Sequence, residues 1–167
     1  MFTSAHRWLP LPGAGWRRQA LALPDGATAG SVFALTELGE GAGSVVLDGA
    51  DHAVRWSFDG RTATTIGPPG SRAHAVGPLG TWGVNRETPS PPPFYAGETE
   101  LVSRTGERTP LTGTPELDQG ARRQTGSVGG PSTALVWVVS GFGWGTTARF
   151  VLYRDGATLD LASSPHR

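Results

Sequence analysis

The sequence predicts an all-β fold, either a single antiparallel β-barrel or a curved β-sandwich of about 8–10 strands. Residues 52–58 alternate in polarity without a break, which is the two-residue period of a β-strand. The side expected to be buried carries His52, Val54, Trp56 and Phe58. Asp59-Gly60 then supplies a tight turn into a threonine-rich return strand. Glycine and proline (25 and 14 residues) separate the apolar runs, as many short strands joined by turns require.

In the N-terminal half, residues 1–13 are expected to form an arm, because the prolines at its end interrupt a strand. Weak alternation over 16–23 predicts the first strand, and Pro24-Asp25-Gly26 predicts the turn after it. The remaining strands of this half are predicted over 31–38, 44–47 and the hairpin 52–66.

In the C-terminal half, residues 88–95 are expected to form a proline-rich loop, since proline cannot donate ladder hydrogen bonds. Residues 114–132 are expected to form a flexible loop or a short helix that glycines terminate. Strands are predicted over 72–76, 80–84, 98–104, 108–112, 134–139, 146–153 and 158–161. Neither a linker nor a sequence repeat stands out, so we expect a single domain over 1–167.

The segment 134–139 is apolar at every position. A strand without a polar side is expected to be covered on both faces, in the core or in an interface. Cover by a second chain would make the protein a homo-oligomer.

Composition excludes several classes of function. Net charge is zero and all fourteen basic residues are arginine, with no run longer than Arg17-Arg18 or Arg122-Arg123, so no nucleic-acid footprint is visible. The lack of lysine excludes Schiff-base chemistry, and the lack of cysteine excludes disulfides and thiolate metal sites. The four histidines are scattered, so we expect neither a metal nor a cofactor.

The scarcity of lysine, isoleucine and asparagine indicates a GC-rich bacterial genome. The N-terminus lacks the apolar stretch of a signal peptide, and no segment approaches the roughly 20 apolar residues of a membrane span. A cytoplasmic protein without a membrane partner is therefore expected.

Two residues are candidates for catalysis. His52 lies on the apolar side of its strand, and histidine is a common general acid–base because its ordinary pKa is near neutrality, although a hydrogen bond to a turn carboxylate such as Asp51 is the simpler explanation. Arg149 lies beside an apolar strand and therefore needs a partner, either an anionic group of a ligand or Asp160 in an ion pair.

Large aromatic residues are the candidates for binding. Trp82 and Trp144 lie among glycines, where a large ring forms either a recognition platform or a lid over a barrel. The complete set expected to line a ligand site is Trp56, Phe58, Trp82, Trp137, Trp144 and Tyr153.

The leading functional hypothesis is a calycin-like barrel that binds a largely apolar small molecule. Such a barrel has room for one ligand and can act without a cofactor, as a cyclase or isomerase of bacterial specialised metabolism. A non-enzymatic structural or assembly subunit that oligomerises through apolar strands is the first alternative. A carbohydrate-recognising sandwich is the second.

Overall fold

The computed structural model describes residues 5–13, 15–88, 96–112, 122–140 and 147–161. Within these ranges all fourteen regular elements are β-strands, which confirms the all-β class. The strands form one two-stranded and three four-stranded antiparallel sheets. No ladder closes into a barrel among these residues, and a sandwich-like stack of sheets describes the arrangement.

Each sheet is a meander of strands in chain order. The N-terminal hairpin contains β1 (His6–Leu11) and β2 (Gly15–Ala20). Sheet 1 contains β3 (Ala29–Leu35), β4 (Gly41–Leu47), β5 (Ala50–Trp56) and β6 (Ala63–Pro69). Sheet 2 contains β7 (Ser71–Val76), β8 (Trp82–Thr88), β9 (Ala96–Val102) and β10 (Arg108–Pro110). Sheet 3 contains β11 (Arg122–Gly130), β12 (Thr133–Ser140), β13 (Thr147–Arg154) and β14 (Ala157–Asp160).

Asp-Gly pairs form two of the tight turns. Asp48 and Gly49 connect β4 to β5 with φ angles of 49° and 79°, and Asp155 and Gly156 connect β13 to β14 with 50° and 79°. Positive φ at both central residues is the geometry whose twist matches that of the flanking strands, and Asp-Gly tolerates it. These turns fix the register of both hairpins.

Three apolar clusters form the core. Sheets 1 and 2 enclose Ala42, Ala53, Ile66, Ala73, Trp82, Val84 and Val102. Sheets 2 and 3 enclose Ala75, Leu101, Leu111, Val128, Ala134, Val136, Val138, Val151 and Tyr153. On the other side of sheet 1, Val45, Val54 and Trp56 pack against Ala5 and Leu21, which flank the hairpin strands, and against Leu23 and Ala27. The three four-stranded sheets are therefore stacked in chain order, with sheet 2 in the middle, and the base of the hairpin packs on sheet 1.

Successive sheets meet at the first strand of the later sheet. β7 packs against β3, β4 and β5, and β11 packs against β7, β8 and β9. Gly83 of β8 has no room for a side chain, because Thr125 of β11 lies directly against it. Between sheets 1 and 2, by contrast, the large side chain of Trp82 fills the space.

The first strand of each sheet also carries an irregularity at the same place. The register shifts around Phe33 in β3, around His74 in β7 and around Gly126 in β11. A β-bulge bends its strand locally, so the three four-stranded meanders share this bend in their first strand. The shared feature is one of backbone geometry, and no sequence repeat accompanies it.

Two segments that were predicted as an arm and as a loop or helix contain strands. The arm 1–13 contains β1, which pairs along its whole length with β2. The loop or helix 114–132 contains β11 from Arg122 onwards. In both cases cross-strand pairing overrides a glycine- or proline-rich local sequence. Of the proline-rich loop 88–95, Thr88 ends β8 and residues 89–95 lie outside the described ranges.

The strand at Trp56 also differs from its prediction. β5 ends at Trp56, and the chain turns so early that Phe58 is exposed in the turn. The Ser57 hydroxyl and the Asp59 carboxylate hydrogen-bond at 2.6 Å inside this turn, which stabilises the early reversal. The other side of β5, which the alternation predicts to face solvent, is covered too, because Ala53 is buried against sheet 2.

The apolar strand 134–139 lies within β12 but is not covered on both faces. Ala134, Val136 and Val138 are buried against sheet 2, whereas Trp137 is exposed. No further layer follows sheet 3 among the residues that the structure describes, so the opposite side of this sheet meets solvent.

Candidate functional site

The most distinctive surface of the molecule is the outer face of sheet 3. It consists of Leu135, Trp137, Phe150, Leu152, Leu159 and Leu161. Trp137, Phe150, Leu159 and Leu161 are 42%, 49%, 57% and 44% exposed. Exposed fractions of this size amount to roughly a few hundred Å² of contiguous apolar surface, the size of the largest apolar patch on a typical monomer, and such a patch is often functional.

Strand register assembles this face from three strands. Leu135 of β12 lies opposite Leu152 of β13, which lies opposite Leu159 of β14. Trp137 lies opposite Phe150, and their rings stack with centroids 6.4 Å apart and planes 12° apart. Because directly opposed residues in an antiparallel ladder project to the same side, the six side chains form one continuous patch.

The hairpin at the other end of the stack is fixed firmly at its base. Arg7 is buried, and its Nη1 donates to the carbonyl oxygens of Gly39 at 2.7 Å and Phe58 at 2.6 Å. Its Nε and Nη2 donate to Oε1 of Gln19 at 3.1 and 3.0 Å. Gln19 in turn donates to the carbonyl oxygen of Asp59 at 2.6 Å. The hairpin therefore projects from sheet 1 in a set direction.

The opposite side of this hairpin is aromatic and exposed. Trp8 pairs with Arg18, and Trp16 pairs with Pro10, so all four project to the side away from Arg7. Trp8 and Trp16 are 61% and 67% exposed. Each end of the stack thus presents two large, solvent-exposed aromatic rings.

A depression of about 270 Å³ brings together two of the predicted ligand-binding residues, Trp56 and Trp82. Both indoles are buried, and each donates its N–H to a backbone carbonyl: Trp56 to Ala22 at 2.7 Å and Trp82 to Gly41 at 3.3 Å. The rings therefore form the floor of the depression and serve primarily as core.

Charged side chains form the rim of this depression. The Arg55 guanidinium lies 5.0 Å from the centre of the Trp82 ring and donates to the carbonyl oxygen of Arg104 at 3.1 Å. Arg104 pairs with Glu40 at 2.6 Å. These contacts join sheets 1 and 2, so a ligand here would have to compete with existing partners.

A second cleft, of about 440 Å³, lies over the outer strands of sheet 2. Its charges are paired as well: Arg86 lies 3.7 Å from Glu98, and Arg108 pairs with Glu100. Arg108 also donates to the carbonyl oxygen of Ile66 at 2.6 Å. The cleft therefore carries a balanced set of ion pairs.

The structure does not bring the two catalytic candidates, His52 and Arg149, together in one site. His52 is half-buried in β5, and the neighbouring Asp51 carboxylate accepts from Arg72 at 2.6 Å instead of from His52. Arg149 forms the expected ion pair with Asp160, at 3.3 Å. His52 and Arg149 lie in different sheets, sheet 1 and sheet 3.

The remaining predicted residues are distributed widely. Tyr153 is buried between sheets 2 and 3, Phe58 is exposed in a turn, and Trp137 lies on the outer face of sheet 3. Trp144 lies outside the described residues. The exposed pair Trp8 and Trp16 was missed, although two tryptophans flanking a Pro-Gly turn were a visible signal of a hairpin.

Comparison with known proteins adds no relative, since the chain matches no family model, no curated protein and no solved structure. The part of the chain that the structure describes contains no helix long and apolar enough to cross a membrane. Those residues also contain no group of three or more histidine, aspartate or glutamate side chains that could hold a metal ion. The exposed aromatic side chains of the hairpin and of the outer face of sheet 3 are therefore the surface features that a proposed function has to explain.

Proposed function

We propose that this chain is a non-enzymatic assembly subunit that associates with another protein chain through the outer face of sheet 3. The observation that carries this proposal is the exposed, stacked pair Trp137 and Phe150, within a patch whose six side chains are all apolar. Aromatic and aliphatic side chains of this kind form the buried centre of protein interfaces.

The physical argument rests on the contrast between the sheets. Sheet 2 buries both faces, whereas sheet 3, among the described residues, packs only the face that carries Val136, Val138 and Val151. Covering the opposite face would remove apolar surface from water at about 25 cal/mol per Å². Association through this face is therefore favourable without any charged contact.

The test is the molar mass in solution, measured by sedimentation velocity on the full chain over a range of concentrations. We expect the wild type to associate and the double variant Trp137→Ser/Phe150→Ser to be monomeric. Leu79→Ser is the matched control, because Leu79 is an equally exposed apolar residue in the β7–β8 turn. A monomeric wild type, or a double variant that associates as the wild type does, contradicts the proposal.

Binding of a largely apolar small molecule, with cofactor-independent cyclase or isomerase activity, is the second candidate. It is favoured by the convergence of Trp56 and Trp82 on one depression. The depression is smaller than the roughly 300–1,000 Å³ of typical ligand pockets, and its floor is already packed. It therefore ranks below assembly.

Anilinonaphthalene sulfonate is a suitable probe for this second candidate, because it is apolar and carries one negative charge. Saturable binding that Arg55→Gln weakens, and that Trp137→Ser/Phe150→Ser leaves unchanged, would support a site at the depression. Binding lost only in the Trp137→Ser/Phe150→Ser variant would assign the probe to the outer face of sheet 3 and count against it.

Carbohydrate recognition is supported less well than either assembly or small-molecule binding. It requires a tryptophan ring that can stack on a sugar, and the ring of Trp82 is buried. The hypothesis then depends on Trp144, which lies outside the described residues.

A further inference from the structure

We infer that the tip of the β1–β2 hairpin binds the surface of a membrane that contains anionic lipids, as a peripheral contact that does not cross the bilayer. This inference goes beyond the proposed function and uses a different part of the molecule. It departs from the expectation of no membrane partner, which rested on the lack of an apolar stretch long enough for a signal peptide or a span. The order of side chains along the hairpin, its charge and the exposure of both its faces carry the inference.

Side chains change in character from the tip of the hairpin to its base. The two cross-strand pairs nearest the turn are apolar: Leu11 with Gly15, and Pro10 with Trp16. The next two pairs each add an arginine: Leu9 with Arg17, and Trp8 with Arg18. Arg7 and Gln19 form the following pair, which is the polar anchor to sheet 1. This sequence of apolar tip, arginine and polar base matches the sequence of acyl chains, phosphates and water at the surface of a bilayer.

The distances along the hairpin fit the same arrangement. Neighbouring pairs in a strand ladder are about 3.4 Å apart, so Arg17 lies about 7 Å behind the level of Leu11. Interfacial elements bury their apolar side about 5–10 Å into the boundary between headgroups and acyl chains. With Leu11 and Trp16 at that depth, Arg17 and Arg18 lie at the level of the phosphates. Trp8 then lies in the headgroup region, where tryptophan is enriched in membrane-bound proteins.

The hairpin is positively charged although the whole chain has no net charge. Residues 5–24 contain no aspartate or glutamate. Arg7 is buried in the anchor, whereas Arg17 and Arg18 are exposed. Each exposed arginine near an anionic leaflet strengthens binding roughly fivefold. The carbonyl oxygen of Asp59 contacts the base of the hairpin, so this acidic residue lies away from the tip.

Both faces of the hairpin are apolar near its tip, which favours lipid over a protein partner. Trp16 projects from the same face as Trp8 and is 67% exposed, and Leu11 projects from the opposite face and is 45% exposed. A protein partner would cover one face of a two-stranded ribbon, whereas lipid surrounds an inserted tip on all sides. Pro10 and Pro12 have no N–H group, which reduces the number of backbone donors at the tip that need water.

The hairpin is already ordered before any contact with a membrane. Nη1 of Arg7 donates to the carbonyl oxygens of Gly39 and Phe58, and the two strands pair along their whole length. Because no segment has to fold on contact, insertion of the tip avoids the ordering cost that weakens the binding of a flexible peptide.

Co-sedimentation of the full chain with lipid vesicles tests this inference. We expect the wild type to bind vesicles that contain phosphatidylglycerol and to bind pure phosphatidylcholine vesicles much more weakly. The tip variant, Leu11→Ser/Trp16→Ser, should lower the partition coefficient roughly tenfold or more. Arg17→Gln/Arg18→Gln should lower it by a similar factor and remove the preference for anionic vesicles. Leu79→Ser, which changes an equally exposed apolar residue in another turn, is the matched control and should bind as the wild type does.

Several outcomes would overturn the inference. A wild type that does not bind anionic vesicles does so, as does a tip variant that binds as tightly as the wild type. Binding that Trp137→Ser/Phe150→Ser loses and the tip variant keeps would assign the lipid contact to the outer face of sheet 3. Retention on heparin that depends on Arg17 and Arg18, without vesicle binding, would make a soluble polyanion the partner. Self-association is measured without lipid, so this inference and the proposed function can fail separately.

A fluorescent label gives a second, independent measurement, because the chain has no cysteine of its own. Leu11→Cys and Leu79→Cys are each labelled with a nitrobenzoxadiazole group, whose emission moves to shorter wavelength in an apolar environment. Anionic vesicles should shift the emission of the label at position 11 and leave the label at position 79 unchanged. An unchanged label at position 11, or equal shifts at both positions, overturns the inference. Far-UV circular dichroism checks that every variant is folded.

Discussion

The Nη1 atom of Arg7 lies 2.6 Å from the carbonyl oxygen of Phe58, which is 51 residues further along the chain. The guanidinium is buried, and among the described residues it donates to the carbonyl oxygens of Gly39 and Phe58 and to the amide oxygen of Gln19, none of which is charged. Carbonyl dipoles satisfy the hydrogen bonds of the buried guanidinium, and they do so without the cost of removing a carboxylate from water as well. This contact sets the direction of the hairpin.

Replacement of this residue, Arg7→Met, is therefore expected to lower the free energy of unfolding by about 3 kcal/mol, since it removes several charge-assisted hydrogen bonds and leaves the partly buried carbonyl oxygens of Gly39 and Phe58 without this donor. Urea unfolding measures the change. Arg18→Met on the exposed side of the same hairpin is the control and should cost less than about 0.5 kcal/mol. Equal losses in the two variants would mean that Arg7 does not anchor the hairpin.

Trp56→Ala should lower the free energy of unfolding by about 3–5 kcal/mol, the range for removal of a large buried aromatic side chain. Trp56→Phe should cost less, because it keeps a ring but loses the 2.7 Å hydrogen bond to Ala22. His52→Ala on the same side of β5 is half-buried and should cost the least. A larger loss for His52→Ala than for Trp56→Ala would mean that the packing of this strand is misassigned.

Two buried threonines between sheets 2 and 3 should respond oppositely to the same substitution. The hydroxyl of Thr125 donates to Oδ1 of Asn85 at 3.1 Å, whereas that of Thr99 has no partner among the described residues. Thr125→Val should therefore destabilise by about 1 kcal/mol, and Thr99→Val should be neutral or stabilising by a similar amount. Thermal unfolding of the two isosteric variants decides the sign.

The β5–β6 turn should stabilise the fold more at neutral pH than at acidic pH. The pKa of Asp59 lies below its ordinary value of 3.8, first because the Ser57 hydroxyl donates to its carboxylate and then because the Arg61 N–H does. Since the folded-state pKa is the lower one, ionised Asp59 stabilises the fold above its unfolded-state pKa, and this contribution is lost as the pH falls through the folded-state pKa.

Asp59→Asn tests this term, because the amide keeps an acceptor oxygen but cannot ionise. The variant should be less stable than the wild type at neutral pH, and the difference should close below a pH of about 4. Paired thermal scans from pH 7 to pH 3 measure it. A stability difference between the two proteins that stays constant over this range would show that the ionised carboxylate of Asp59 does not stabilise the turn.

Local features of the fold could be predicted from the sequence. The Asp155-Gly156 turn and the strand before it follow from turn chemistry and alternation, which act within a few residues. The ion pair between Arg149 and Asp160 also follows from this hairpin, since the two residues lie on adjacent paired strands. Such interactions need no knowledge of the rest of the chain.

The layering and the candidate site could not be predicted in the same way. Which face of a sheet is covered depends on where the next sheet begins, and β11 begins in a segment rich in polar residues and glycine. The strand that carries Trp137 was expected to be covered on both faces, in the core or in an interface, because it is apolar throughout, yet the Trp137 ring is exposed in this chain. The pattern of apolar and polar residues alone does not distinguish a strand in the core from a strand with one face open to solvent.

The succession of layers in chain order has a consequence for how this protein comes to be folded. Each sheet pairs only strands that are neighbours in sequence, so its ladders form without waiting for distant parts of the chain. We therefore expect the layers to fold one after another as they leave the ribosome, each docking on a surface already present. Of the three four-stranded sheets, sheet 3 should show the lowest protection in native-state hydrogen exchange, because within the described residues it packs against one sheet only. The sheet that follows the other two in the chain is then also the one whose persistence depends most on a contact made after synthesis.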